Sequence, residues 1–173
     1  MSPALVAYYS RAGENYFDGE IRSVPKGNTA YAAETVADAL GADIVEIMQR
    51  HPYPDTYGMC VEEAKADWEG DRRPEIADAP ESLSGCTDLF LCYPNYCGTV
   101  PMAVMTFLER YDLSGVRIHP LCTNEGSGMG TSERDIRRGA PGAVICAGLP
   151  VKGGSVGASE KSIADWARSS LRP

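Results

Sequence analysis

The chain has 173 residues, 43% of them hydrophobic and 23% charged, with a formal charge of -8 and a pI near 4.8. That length buries a real core as a single domain over residues 1–173, and the acidic balance excludes nucleic acid as a partner, because neutralising phosphates takes clustered Lys and Arg. No run approaches the roughly 18 to 20 consecutive apolar residues of a membrane span, and the start, Met1-Ser-Pro-Ala, lacks the charged and apolar regions of a secretory leader, so the sequence reads as cytoplasmic with no membrane association.

Along the chain, apolar β-rich runs alternate with amphipathic helical patterns, the signature of βαβ units. Strands are expected near 4–10, 43–48, 87–93, 116–122 and 143–151. Between them, Ala33, Val36, Ala37 and Leu40 recur at i, i+3, i+4 and i+7, as do Val104, Phe107, Leu108 and Tyr111. Tyr57, Val61, Ala64 and Trp68 mark a helix in the long crossover after the second strand, and Ile163, Trp166 and Ala167 anchor a closing one. The polar segment from Ser132 to Gly139 forms a shorter helix, with Ser132 as its N-cap and Gly139 as its terminator. Five strands with right-handed crossovers favour the order 2-1-3-4-5 or a small dinucleotide-type sheet. Six cysteines (Cys60, Cys86, Cys92, Cys97, Cys122, Cys146) show no Cys-x-x-Cys spacing, and three lie in apolar runs, which indicates neither a zinc site nor a disulfide framework.

In such a sheet the loops leaving the carboxyl ends of the strands converge on one crevice. After the first strand, Tyr9-Ser10-Arg11-Ala12 is separated from a helix starting at Asn28-Thr29-Ala30 by an unusually long stretch rich in Gly13, Glu14, Asn15, Gly19, Pro25 and Gly27, expected to be a loop. Hydroxyls and free amides at a helix N-terminus are what a phosphate monoester requires; the alternative is that Asn28 or Thr29 merely caps its own helix, and Arg11 is open between phosphate and solvent. After the third strand, Pro94, Asn95, Tyr96, Cys97, Gly98 and Thr99 combine a flat ring with small residues and no acid or base, which suits gripping a planar heteroaromatic ring rather than activating water. After the fourth, Thr123, Asn124, Glu125, Gly126, Ser127 and Gly128 offer short hydrogen-bonding groups and close backbone approach. The Gly126-Ser127-Gly128 run does not make a dinucleotide fingerprint, since neither its spacing nor its place in the chain matches.

Other α/β classes fit poorly. A phosphoacceptor receiver needs acidic residues at the ends of strands one and three, where this chain has Tyr-Ser and Pro-Asn. A hydrolase needs Gly-x-Ser-x-Gly and a partner histidine, whereas Ser127 sits in Glu-Gly-Ser-Gly-Met, His51 lies on a Pro-rich loop and His119 inside a strand pattern. No residue is assigned a catalytic or metal-binding role.

The phrases Tyr8-Tyr-Ser-Arg-Ala-Gly-Glu-Asn15, Lys26-Gly-Asn-Thr29, Tyr93-Pro-Asn-Tyr-Cys-Gly-Thr-Val-Pro-Met102, Thr106-Phe-Leu-Glu-Arg-Tyr-Asp-Leu-Ser-Gly115 and Thr123-Asn-Glu-Gly-Ser-Gly-Met-Gly130 resemble the flavodoxins, in particular a bacterial subfamily with an expanded phosphate loop. The resemblance covers about residue 4 to Trp166. It implies a flavodoxin-like three-layer α/β sandwich on a five-stranded parallel sheet of order 2-1-3-4-5, binding FMN non-covalently. The phosphate would sit at Ser10, Ala12, Asn28, Thr29 and Ala30, the ring against 94–99, and its far edge against Thr123 to Gly128. One position departs from the pattern: Tyr96-Cys97 stands where such proteins usually carry tryptophan, which implies reduced ring stacking.

With FMN in place, an apolar wall, an acidic surround and no cation near the ring would disfavour negative charge on the reduced cofactor and lower its potential, Glu125 being the candidate local charge. Cys97 reads as a small packing residue rather than a redox thiol. The expected role is electron transfer between a reductase and an acceptor protein by a monomer or weak dimer, an acidic surface suiting basic partners as well as plain solubility. The alternatives are an NAD(P)H-dependent quinone or azo reductase of the same fold, and a module with weakened FMN binding.

Overall fold

A computed structural model describes residues 3–172. Its central sheet runs β4 (Asp43–Glu46), β1 (Ala4–Tyr8), β7 (Asp88–Pro94), β8 (Arg117–Asn124) and β10 (Leu149–Lys152), with β9 (Val144–Ile145) also pairing β8. All of these pairings are parallel. In chain order this is the 2-1-3-4-5 arrangement, and helices cover both faces.

The central strands β1 and β7 are apolar almost throughout because both of their faces are covered. On β7, Leu89, Leu91 and Tyr93 point into one layer with α3 (Met102–Glu109) and α4 (Ser132–Gly139), while Phe90 and Cys92 point into the other with α1 (Asn28–Leu40) and α5 (Glu160–Ser170). Phe90 and Cys92 are fully buried between α1 residues Ala33 and Val36 and α5 residue Ile163. Burial of this kind contributes about 1.5–3 kcal/mol per large side chain. All six cysteines are free thiols, and burial pushes Cys122 up to about 12. Among the described residues no helix is long and apolar enough to cross a membrane.

Several expectations are corrected. The stretch after β1 is not an irregular loop: β2 (Gly13–Phe17) and β3 (Glu20–Val24) pair antiparallel from Gly13↔Val24 to Phe17↔Glu20. A two-residue connection, Asp18 at φ 47° and Gly19 at φ 99°, closes this hairpin, and an Asp-Gly pair is a favoured sequence for such a turn. The fifth strand is interrupted between β9 and β10, because the Gly148 amide donates to Glu133 Oε1 of α4 at 2.7 Å instead of to the sheet. A short antiparallel ribbon, β5 (Met48–Gln49) with β6 (Ile76–Ala77), lies beyond β4. Ser132 is not an N-cap: Thr131 holds that position, and the Ser132 hydroxyl accepts from Tyr93 and donates to the Met129 carbonyl. Gly139 is the last residue of α4, and Ala140 follows as its C-cap. On α2 (Tyr57–Glu69) the buried residues are Cys60 and Ala64, whereas Val61 and Trp68 are exposed.

Where β7 and β8 begin, Asp88 is buried and accepts hydrogen bonds from Arg117 and Thr87 and from His119 Nε2 at 2.8 Å. His119 also stacks on Phe90 at 4.6 Å. Burial works to raise the Asp88 carboxyl, but the bonds from Arg117, His119 and Thr87 outweigh it and hold the group below its ordinary value. Burial lowers His119, against the pull of Asp88. Both groups have folded-state values below their unfolded ones, so each contributes stability that is full above its unfolded pKa and is lost as pH falls through the folded one. The loss therefore starts below about pH 6.5 for His119 and continues below about pH 4 for Asp88. Asp88→Asn should lower stability at neutral pH by about 1.5–3 kcal/mol and flatten the lower part of this acid limb. Urea titrations of both proteins between about pH 2 and 8 check this, and profiles that stay parallel below about pH 4 would refute the assignment.

Candidate functional site

At the carboxyl ends of β1, β7 and β8 lies a cleft of about 460 Å³, within the size range of small-molecule sites. Three of its walls come from the loops that the sequence singles out, and each is built in a specific way.

The first wall joins the end of β1 to the start of α1. Gly27 precedes the helix, and a Cβ there would lie 2.2 Å from Ser10 Oγ and 2.4 Å from the Arg11 carbonyl oxygen, so only glycine lets the two segments meet. Ser10 Oγ then accepts the Ala30 amide at 3.1 Å. The amides of Asn28 and Thr29, in the first turn, have no intrahelical acceptor and stand beside the cleft. The Thr29 hydroxyl meets that of Thr123 at 2.7 Å. Either can donate, and the pair retains one hydroxyl hydrogen beyond the one it shares.

The second and third walls are clasped together. Residues 96–99 form a tight turn in which Tyr96 and Thr99 exchange backbone hydrogen bonds, with Cys97 at φ 54° and Gly98 at φ 79°; two positive φ values in sequence define a type I′ turn. Asn95 Oδ1 accepts the Gly98 amide at 3.0 Å, and its Nδ2 donates to the Gly128 carbonyl at 3.0 Å. The Gly98 carbonyl accepts the Thr131 amide at 2.8 Å. Gly130, at φ 53°, allows this contact, since its Cβ would lie 2.0 Å from Gly98 O. Asn124 organises its own loop, with Oδ1 accepting the amides of Gly126 and Gly128.

The fourth wall comes from elements outside the three loops. The hairpin contributes Asn15 and Tyr16, α2 contributes Tyr57, Cys60, Val61 and Ala64, and Gly153 closes the cleft beyond β10. Tyr16 and Tyr57 stack at 6.3 Å with an interplanar angle of 24°. Glu14 Oε2 accepts the Tyr57 amide at 2.8 Å, placing a carboxylate at the positive end of α2. Arg11 lines the cleft and donates to the carbonyls of Glu14 and Asp55, which ties the hairpin to the α2 approach. Only the stripe Tyr57, Val61, Ala64 and Trp68 pointed to this wall from the residues, and its first three members line the cleft.

Of the residues singled out, Ser10, Arg11, Asn28, Thr29, Pro94, Asn95, Tyr96, Cys97, Thr123, Asn124, Glu125 and Ser127 line the cleft together. Ala12 is exposed and Ala30 is buried behind Ser10; neither lines the cleft. Gly98, Gly126 and Gly128 shape the loops without lining it. Thr99 is turned away and buried, donating to Asp135 at 2.6 Å. Tyr96 packs edge-on against Tyr9 at 5.9 Å, and its hydroxyl approaches Cys60 Sγ. Burial raises the phenols of Tyr9 and Tyr96 and the thiol of Cys60, so all three are neutral near pH 7. Cys97 is exposed rather than a packing residue, yet desolvation raises its thiol too, with Lys65 pulling the other way. The cleft therefore offers neutral donors, rings, one guanidinium and one carboxylate. It holds no activated nucleophile, and the described residues contain no cluster able to hold a metal ion.

A family model described as flavodoxin matches residues 21–169. No curated protein sequence matches the chain. Among solved structures, a candidate flavoprotein from Bacteroides uniformis ATCC 8492 superimposes with a TM-score of 0.76 at 22% identity, covering 95% of this chain and 97% of its own. A flavoprotein in complex with FMN from Lactobacillus acidophilus NCFM gives 0.63 at 17%, covering 90% and 96%. Oxidised flavodoxin 2 from Bacillus cereus gives 0.56 at 16%, covering 97% of each chain. At these identities the likenesses show a shared fold.

The close approaches at Gly27 and Gly130 are each expected to be indispensable. Gly27→Ala and Gly130→Ala should each lower stability by about 1–3 kcal/mol through overpacking against backbone. Gly157→Ala is the comparison, because a Cβ there meets nothing within 4 Å and the backbone φ is not positive. Urea midpoints of the three variants settle the matter, and equal midpoints would refute it.

Proposed function

This chain belongs to the flavodoxin family, and from that premise we propose that it binds FMN in the cleft and passes electrons between redox partner proteins. The observation that carries the FMN reading is the continuity of the cleft, from the unpaired amides at the start of α1 to the aromatic turn at Tyr96. One end suits a phosphate and the other a flat ring. Bound FMN supplies the redox chemistry by taking up and releasing electrons.

The chain's own groups bind and orient. Asn28 and Thr29 amides, with hydroxyls of Ser10, Thr29 and Thr123, would hold the phosphate chiefly through neutral donors; Lys26 and Lys152 are paired with Glu34 and Asp18, while Arg11, bonded to two backbone carbonyls, keeps its charge at the cleft. Pro94, Tyr96 and Cys97 would flank the ring, while Tyr16, Tyr57 and Val61 exclude water from the opposite side. An acidic protein is steered towards basic partners by long-range attraction, which suits weak, rapid encounters. The competing reading is an NAD(P)H-dependent quinone or azo reductase; the aromatic wall of Tyr16 and Tyr57 favours it, since it would shape a second-substrate slot.

Two measurements test these statements. Thr29→Ala should weaken FMN by roughly tenfold to a hundredfold, the value of a hydrogen bond to a charged group, and weaken riboflavin less. Equal weakening would assign Thr29 to the fold through Thr123. Rapid mixing of the FMN-loaded protein with NADH or NADPH should leave the flavin oxidised, whereas a partner reductase should bleach it at a rate that falls as salt screens the charges. Bleaching by the nicotinamide alone with quinone turnover would establish the reductase instead.

A further inference from the structure

Among the described residues, one buried side-chain oxygen lacks a hydrogen-bond partner: Glu125 Oε2. It belongs to a cleft-lining residue. Its companion oxygen, Oε1, is held by the Gly154 amide at 2.7 Å, which fixes the carboxylate in place. A bare carboxylate oxygen away from solvent is costly, and the group can only accept. The Gly126 and Gly128 amides are taken by Asn124 and Lys152 is paired with Asp18, while the Asn28 side-chain amide lies beside Gly153 on the side of Oε1 and makes no bond to Oε2.

The position of the carboxylate says which part of a ligand can supply the missing donor. Glu125 and Asn28 flank Gly153: a Cβ on that glycine would lie 2.8 Å from Glu125 Oε1 and 2.6 Å from Asn28 Nδ2. Asn28 is the first residue of α1. The carboxylate is therefore at the helix-start end of the cleft and not at the Tyr96 end. A phosphate dianion has no hydrogen to give and would be repelled, while a ring amide belongs at the far end. A sugar-alcohol hydroxyl next to the phosphate has the right chemistry and the right place.

From this the geometry points to Glu125 as the residue that recognises the polyol chain of the flavin, Oε2 accepting from one of its hydroxyls. The inference rests on the flavin reading above. It moves Glu125 from the ring edge to the chain and makes it a specificity determinant for flavins that carry the ribityl group.

The test is titration of ligand-free protein with FMN, riboflavin and lumiflavin, the last keeping the ring and its N–H but lacking both chain hydroxyls and phosphate. Glu125→Gln keeps an oxygen for Gly154 and puts a donor where the acceptor was, and Glu125→Leu removes both. Each variant should bind riboflavin and FMN about tenfold or more weakly, consistent with losing a bond to a charged acceptor, and bind lumiflavin as the wild type does. Unchanged riboflavin affinity would show that no chain hydroxyl reaches Oε2 and overturn the inference. So would equal weakening of lumiflavin, which would mean a ring contact or a deformed cleft, and so would a gain confined to FMN, which would place the charge against the phosphate. Wild-type protein that takes up none of the three flavins overturns the flavin reading and this one together, whereas the other outcomes overturn this one alone.

Discussion

The cleft depends on the parallel register of β7 and β8, seven consecutive pairs from Asp88↔Arg117 to Pro94↔Thr123. Because side chains alternate along a strand, slipping that register by one residue would send Leu89, Leu91 and Tyr93 to the wrong layer and bring Phe90 and Cys92 out of theirs. At one end of the pairing, Asp88 gathers Arg117, its register partner, and His119, two residues further along β8, a fit that this register provides. At the other end the two strands release their loops side by side. The same register that satisfies the core thus brings Asn95 within reach of Gly128, and Gly98 against Gly130 and Thr131.

Once the loops are adjacent, side-chain amides finish them. Asn95 and Asn124 use their polar atoms to hold backbone, so their role at the cleft is to preorganise rather than to present free groups. Ordering these loops before a ligand arrives removes part of the entropy cost of binding. The hairpin is held in a similar way, by Glu14 on the α2 amide, Arg11 on two carbonyls and Lys152 on Asp18. Only the last of these is a salt bridge between exposed side chains, and such pairs contribute little by themselves. The hairpin's hold rests mainly on backbone partners and on Phe17, which is buried.

The electrostatics follow from these commitments. With Lys26 and Lys152 paired and its phenols and thiols kept neutral by burial, the cleft presents dipoles, hydroxyls and the Arg11 guanidinium around one fixed carboxylate, Glu125. Amides at a helix start are suited to an anion without the strong salt sensitivity of an arginine clamp. Such a site discriminates by where each donor and acceptor lies.

The alternation of apolar runs with 3.6-residue patterns was sufficient to narrow the sheet to the order 2-1-3-4-5 or a small dinucleotide-type one and to place the helices α1, α3 and α5, because burial on both faces leaves a period in the residues themselves. Glycines and short polar residues at three strand ends likewise disclosed three of the cleft's walls. Tertiary structure alone decided the rest. The hairpin at 13–24 is half exposed and its alternation is weak, so the Asp18-Gly19 pair is its one local signal; contacts with α2 and β10 hold it in place. Thr99 reads as a ligand group and is spent on Asp135, a partner 36 residues away. Arg11 is open in the sequence between an anion and solvent, and in the fold it bonds carbonyls of the hairpin and of Asp55, 44 residues away. Residue type and spacing carry the period of burial, but the partner of a polar group is a property of which distant segments meet, and that is determined only when the whole chain has packed.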